Sequence, residues 1–298
     1  MFRTGFVTII GKPNVGKSTL TNKLVGDKVS IVSFRPQTTR DRILGIINGD
    51  DYQLIVVDTP GIHSPKNRLS EYMMKSVSSS VEGVDGVVYV IACDKRLEED
   101  EVKQIAKYSK GEAPVIVVIN KCDEAKQEDI FKRMDMLKDI KNIVAIIPIS
   151  ARTGKNIDML LEELVKLLPE GEARYDEDEM TDKSTSFIVS EYIREKALKL
   201  LGDEVPYGVG VVITKFSERE NGIVDIEADL VCEKQAHKSI VIGKGGAMIK
   251  EISTKAREDI EKLLGTQVYL NLFVRVKEDW RNNPVVLKNL GYKEDELE

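Results

Sequence analysis

The sequence predicts an α/β protein in two parts: a mostly parallel, doubly wound sheet over residues 1–170 and a smaller α+β domain over residues 185–298. Three observations carry that expectation. In the first part, short runs that are apolar at every position alternate with helix-patterned stretches, as strands buried on both faces and their crossover helices do. The rhythm stops at Pro169, where the acidic, apolar-poor stretch PEGEARYDEDEMTD (169–182) begins. It predicts a solvated linker over 171–184. Beyond it the strand-like runs change to alternating character.

In chain order, FVTII (6–10), YQLIVVD (52–58), GVVYVIAC (86–93), APVIVVIN (113–120) and IVAIIPIS (143–150) are the buried strands. RILGIIN (42–48) precedes the second of them after a short polar turn and is expected to pair with it antiparallel. EEDEVKQIAKYSK (98–110) and IDMLLEELVKLL (157–168) carry helical periodicity. The second part opens with a helix, SFIVSEYIREKALKLLG (186–202). Two strands, 207–217 and 222–233, follow it. A glycine-rich turn then opens a helix over 241–265, and a last strand spans 267–279.

The formal net charge of −6 over 298 residues excludes a globally basic nucleic-acid binder but not a local basic patch. Cys93, Cys122 and Cys232 form no CxxC pair. They read as small apolar side chains in a reducing compartment, not as a disulfide scaffold or structural zinc site. No apolar run approaches the roughly 20 residues of a membrane span, and the start MFRTGFVTII lacks a secretory core, so the expected location is the cytoplasm.

GKPNVGKS (11–18) sits between an apolar strand and a helix with the spacing of a phosphate loop: Gly11, Lys12, Pro13, Asn14, Val15, Gly16, Lys17, Ser18, with Thr19 next. Its glycines let backbone N–H groups wrap a phosphate at a helix N-terminus. Lys17 would reach the β- and γ-phosphates, and the Ser18 hydroxyl would face Mg²⁺. VVDTPG (56–61) ends a strand with Asp58, which can hold Mg²⁺ through water, followed by Thr59, Pro60 and Gly61. The Gly61 N–H could bind the γ-phosphate and sense its loss. The polar loop FRPQTTRD (34–41) could bring a threonine onto the metal, Thr39 first and Thr38 second. NKCD (120–123) reads the base: Asp123 accepts guanine N1–H and the exocyclic N2–H, whereas adenine would leave it unpaired. Lys121 would lie along the base, and Asn120 would tie this loop to the phosphate loop. Ser150 and Ala151 close the set, Ala151 offering its N–H to guanine O6.

In this order these elements resemble the translation-factor-type GTPase superfamily, and GKPNVGKST, QTTRD and DTPG together resemble one branch of it over about residues 5–168. The resemblance implies GTP hydrolysis to GDP, with Lys17, Thr39 and Gly61 closest to the chemistry. Many regulatory GTPases carry glutamine after that glycine. Here it is Ile62, which cannot orient water, and His63 follows, either a recruited residue or an exposed loop histidine. The intrinsic rate is therefore expected to be slow, awaiting a partner or a monovalent cation. Asn14 has the position that supports K⁺ in the resembling branch, where the ion acts as a fixed positive charge.

VIGKGG (241–246) lacks the spacing of a second nucleotide site but fits the GxxG loop of a KH domain of the bacterial (type II) arrangement. Lys238, Ile242, Gly243, Lys244, Gly245, Gly246 and Lys250 are the candidate RNA contacts. From Lys234 to Arg257 six lysines and arginines face the single acid Glu251, a local positive field. Ile242, Ile249 and Ile252 would line the groove or belong to the core. His237 and Trp280 read as structural. Together the two modules resemble the KH-domain-containing GTPases of the superfamily over nearly the whole chain. That resemblance implies a monomer that binds 16S rRNA near its 3′ end and aids small (30S) ribosomal subunit assembly. It also implies peripheral association with the inner face of the membrane. A GTPase assisting RNA modification would need a chemical site in the second half, and none is seen. A plain RNA binder with a vestigial nucleotide site is opposed by intact Lys17, Ser18, Asp58 and Asp123.

Overall fold

The structure is a computed structural model that describes residues 1–94 and 96–297. The chain divides into two compact units. The first comprises Met1–Ser30, Thr39–His63 and Met73–Asp182, and the second Ile31–Thr38, Ser64–Tyr72 and Lys183–Glu298.

The first unit is built on β1 (Arg3–Ile10), β2 (Ile43–Asn48), β3 (Tyr52–Asp58), β4 (Gly86–Ala92), β5 (Val115–Asn120) and β6 (Ile143–Pro148), in sheet order β2-β3-β1-β4-β5-β6. Only β2 runs antiparallel, and its Ile46 faces Ile55 of β3. Strands β3, β4 and β5 are buried at essentially every position, which is why they read as unbroken apolar runs; β6, expected to be buried as well, is an edge strand that is only partly covered, with Val144 exposed. Two apolar layers cover the faces. One packs α1 (Lys17–Val25) and α5 (Ile157–Leu167) through Leu20, Leu24, Leu160 and Leu164. The other packs α3 (Glu99–Tyr108) and α4 (Gln127–Leu137) through Ile105 and Leu137. A further helix, α2 (Arg68–Ser79), precedes β4. Neither α2 nor α4 was expected from the sequence, although Leu69, Tyr72, Met73 and Val77 of the first and Ile130, Met134 and Leu137 of the second keep helical spacing.

The acidic stretch after Pro169 is not a free tether. Arg3 pairs with Glu170 through the backbone, the Ile46 N–H donates to the Met180 carbonyl (3.0 Å), and the Gln53 side chain is clasped by the Arg174 and Tyr175 backbone (2.6–3.0 Å). Backbone pairing with β1 and β2, and the Gln53 side chain of β3, fix it despite its polar composition.

The second unit has α6 (Thr185–Leu200), β7 (Gly210–Glu218), β8 (Val224–Cys232), α7 (Gln235–Ile242), α8 (Ala247–Leu264), β9 (Val268–Val276) and α9 (Pro284–Asn289). The sheet order is β7-β8-β9, with β7 antiparallel and β9 parallel to β8. α6 and α8 bury Ile193, Ala197, Leu198, Ile252, Ala256 and Ile260 against Ile226, Ala228 and Leu230. Ser184 caps α6, and Gly265 ends α8 in a left-handed turn. One expectation is corrected here. Val241 and Ile242 do not belong to the turn; they end a separate helix, α7, because Val241 has core to bury against. Trp280 is fully buried and donates from Nε1 to the Gly208 carbonyl (2.8 Å). Within this unit the segment Ile31–Thr38 is held by its backbone and by Arg35, whose Nε donates to the Leu198 carbonyl (2.6 Å). The Val32 N–H donates to Glu195 (3.0 Å).

Candidate nucleotide site and RNA interface

The phosphate loop follows β1 and turns into α1 at Gly16, whose φ of 98° only glycine adopts easily. A Cβ there would lie 2.2 Å from the Asn120 amide, so Gly16 also admits the side chain that ties the loops together. Asn120, at the end of β5, is 3% exposed. Its amide donates to the Val15 carbonyl (2.8 Å), and its Oδ1 accepts the Ala151 N–H (3.0 Å). The Ala151 N–H, expected to face guanine O6, is thus used within the protein as the second arm of this brace.

Lys17 is buried at the floor. Its Nζ donates to the Gly11 carbonyl (3.1 Å) and the Lys12 carbonyl (3.3 Å). Burial pulls its ammonium down to about 8, against the opposing charge of Asp58. Asp58 is fully buried, and burial pushes its carboxyl up, opposed by Lys17. Ser18, Ser30 and the Thr59 N–H lie close enough to oppose that shift, but none reaches hydrogen-bonding geometry on either carboxylate oxygen among the described residues. A buried carboxylate without a donor is what a hydrated cation satisfies.

Ser18 Oγ and Thr39 Oγ1 lie 2.7 Å apart. Thr38 points elsewhere, its hydroxyl meeting Ser33 Oγ (2.7 Å) and the Arg35 carbonyl (2.6 Å). The donor set of Ser18, Thr39 and Asp58 is all oxygen, the set that suits Mg²⁺. Thr59 is buried, and its hydroxyl donates to the Ile9 carbonyl (2.7 Å), which anchors the segment that carries Pro60 and Gly61. A Cβ on Gly61 would come within 2.8 Å of Pro13 backbone, so glycine lets this segment lie against the phosphate loop. The Ile62 N–H donates to the Gly11 carbonyl (3.0 Å) and its side chain packs into the α3–α4 layer, away from polar chemistry. His63 turns Nδ1 to within 2.7 Å of the Gly61 carbonyl. Lys12 pairs with Glu98 (3.3 Å) and Glu101 (3.4 Å). Asn14 has a φ of 65° in the loop, a left-handed turn position that asparagine tolerates.

The base-reading loop leaves β5 at Lys121, whose Nζ lies 2.7 Å from Asp94. Asp123 is paired with Arg152. The hydrogen bond from buried Ser150, then Arg152, holds its carboxyl below the usual range, so it is ionised and accepts only. Arg152 was not anticipated; its place directly after Ala151 was the available signal.

In the second unit the GxxG turn joins α7 to α8. Gly243, Gly245 and Gly246 have φ of 73°, 61° and 82°. A Cβ on Gly243 would strike Met248 at 2.7 Å, whereas Gly245 and Gly246 face open space. Lys244 and Lys250 are exposed and make no ion pair among the described residues. Lys255 and Arg257 are matched by Glu251 (2.8 Å) and Glu261 (4.0 Å) on their own helix, so the positive field concentrates at the turn. Lys238 is half-buried; Ile242 and Ile249 are half-buried beside the turn, and Ile252 is core.

Residues 6–121 match the family described as 50S ribosome-binding GTPase, and residues 204–281 match the KH domain family. The chain is 49% identical over 294 residues to the GTPase Era of Clostridium novyi (strain NT), covering 99% of this chain and 100% of that one. It is 50% identical over 293 residues to the GTPase Era of Clostridium kluyveri, covering 98% and 100%. The chain belongs to the Era family of GTPases. A crystal structure of Era with MgGDPNP and nucleotides 1506–1542 of 16S ribosomal RNA superposes at a TM-score of 0.94, with 37% identity over 98% of this chain and 99% of that one. The protein is therefore a guanine-nucleotide-binding hydrolase with a C-terminal KH domain. No helix among the described residues is long and apolar enough to cross a membrane.

Proposed function

We propose that this protein is a GTP-switched factor that binds the 3′ end of 16S rRNA through its KH turn and acts in small-subunit assembly. The observation that carries this reading is the open GxxG turn, three glycines at positive φ beside Lys244 and Lys250, which make no ion pair among the described residues, in one chain with a guanine-nucleotide site. The complex of the Era relative with nucleotides 1506–1542 supports the choice of RNA. An RNA backbone can approach Gly245 and Gly246 without meeting a Cβ, and lysine neutralises its phosphates.

In the nucleotide site Ser18, Thr39 and Asp58 would hold Mg²⁺, which when bound neutralises charge on the β- and γ-phosphates. Lys17 binds the same phosphates from the floor. The Gly61 N–H reads the γ-phosphate, and Asp123 reads guanine. Hydrolysis by the protein alone is slow because the apolar Ile62 cannot orient water. Asn14 supports K⁺ beside the phosphates, so turnover is faster in K⁺ than in Na⁺ at equal ionic strength; equal rates would remove the cation from the reading. Residence in the cytoplasm as a monomer, with peripheral membrane association, completes it, and sedimentation and vesicle flotation test these parts.

The central test pairs Lys244→Asp with Gly245→Asp. The carboxylates add bulk and like charge where phosphate must lie. Fluorescence anisotropy should show binding to a 16S 3′ fragment abolished, with GTP affinity and basal turnover unchanged and RNA stimulation of turnover lost. A folded double variant that keeps wild-type RNA affinity would overturn the assignment of the turn.

A further inference from the structure

Two of the three cysteines, far apart in sequence, meet beside the base-reading loop. Cys93 follows β4 and Cys122 sits between Lys121 and Asp123, with their sulfurs 3.9 Å apart. Both are nearly buried, at 7% and 8% exposure. The Cys93 N–H donates to the Asn120 carbonyl (2.9 Å) and the Cys122 N–H to the Ile149 carbonyl (3.0 Å), which sets the two residues side by side. Cys93 also forms part of the wall of an open cleft of about 770 Å³, with Asp94, Leu97, Asp129, Lys132 and Arg133. Arg133 donates to the Cys93 carbonyl (3.0 Å). Neither thiol has a role in nucleotide binding or hydrolysis as derived above.

We propose that Cys93 and Cys122 are a peroxide-sensitive pair whose disulfide lowers guanine-nucleotide affinity. Cys93 is the attacking sulfur because it, and not Cys122, lines the cleft from which small oxidants approach. The contact with Cys122, whose own S–H also faces the Ile119 carbonyl (3.0 Å), with the Arg133 charge, holds the Cys93 thiol below the ordinary range against burial. The same contact and burial push Cys122 up, so it remains the thiol and serves as the resolving partner. The Cys93 thiolate attacks one oxygen of hydrogen peroxide; the O–O bond breaks, Cys93 becomes a sulfenic acid and hydroxide leaves. That hydroxide takes the Cys122 proton as water. The Cys122 thiolate attacks the Cys93 sulfur, the S–S bond forms, the S–O bond breaks and a second hydroxide leaves. Two electrons from the sulfurs have reduced the peroxide.

A disulfide needs its sulfurs about 2 Å apart, so closing it from 3.9 Å draws Cys122 toward β4. Lys121 and Asp123 flank Cys122 and move with it. This step rests on the proposed reading of Asp123 as the guanine acceptor, which then loses its bidentate reach, a contact whose loss weakens binding by roughly 5- to 150-fold.

The test uses the full-length chain treated with hydrogen peroxide and probed with a fluorescent GDP. The expected result is loss of the two thiols with Cys232 retained, a disulfide between the peptides carrying Cys93 and Cys122, the fall in affinity, and its reversal by a phosphine reductant. Cys93→Ser should bind GDP as wild type does and not respond to peroxide. Cys122→Ser, which keeps Cys93, should trap a sulfenic acid that dimedone labels, a readout independent of GDP binding. Wild-type protein that keeps both thiols, a disulfide without change in affinity, or a loss of affinity that persists in Cys93→Ser would overturn the proposal.

Discussion

Replacing Asn120 by alanine tests the brace that joins the three nucleotide loops. The amide donates to the Val15 carbonyl at 2.8 Å and accepts the Ala151 N–H at 3.0 Å, and the side chain is 3% exposed. Alanine removes both bonds and leaves a buried carbonyl and a buried N–H unpaired. Each such group costs about 1–3 kcal/mol. Both together give about 2–6 kcal/mol, with the low end favoured if water enters the gap. The loss should fall on the first unit, because the bonds lie within it. Urea unfolding of the nucleotide-free protein by circular dichroism, with hydrogen exchange to localise the change, measures it. Trp280 is the only tryptophan of the chain and is buried in the second unit, so its fluorescence reports that unit separately. Exchange protection should drop in β5 and the phosphate loop while the Trp280 transition stays in place. A destabilisation below about 1 kcal/mol, or one spread evenly over both units, would refute the argument that these two bonds hold the loops.

Asp123→Asn should weaken GTP and favour xanthosine triphosphate, whose C2 oxygen accepts from the new amide; competition binding with the two nucleotides decides this, and unchanged GTP affinity would remove Asp123 from base recognition. Nucleotide affinity should also depend on pH through Lys17. Its free-site value is about 8 because of burial, and bound phosphate raises it again, so binding takes up a proton above that value. Affinity is expected to be level below about pH 8 and to fall by up to about tenfold per unit above it; a GDP titration that stays level to about pH 9 would contradict this.

Much of this protein is written locally. The phosphate loop, the DTPG and NKCD segments and the GxxG turn are short and depend on glycine geometry or a single side-chain chemistry. The buried strands also declare themselves, because a strand covered on both faces must be apolar throughout. α2 and α4 are legible too, since Leu69, Tyr72, Met73 and Val77, and Ile130, Met134 and Leu137, keep the helical spacing of a single buried stripe.

What the tertiary structure alone decided are relations between distant residues. It set Thr39 rather than Thr38 beside Ser18, and gave the Ala151 N–H to Asn120. The acidic stretch after Pro169 is bonded to β1, β2 and β3, although its composition reads as a solvated tether, because its backbone groups and the Asp182 carboxylate find partners along those strands. Residues 31–38 and 64–72 join the second unit, and Cys93 meets Cys122 across 29 positions. Composition and periodicity report how each residue meets water. They carry no record of which loops the parallel strand order β1-β4-β5 brings to the same end of the sheet, and that order is what assembles the site.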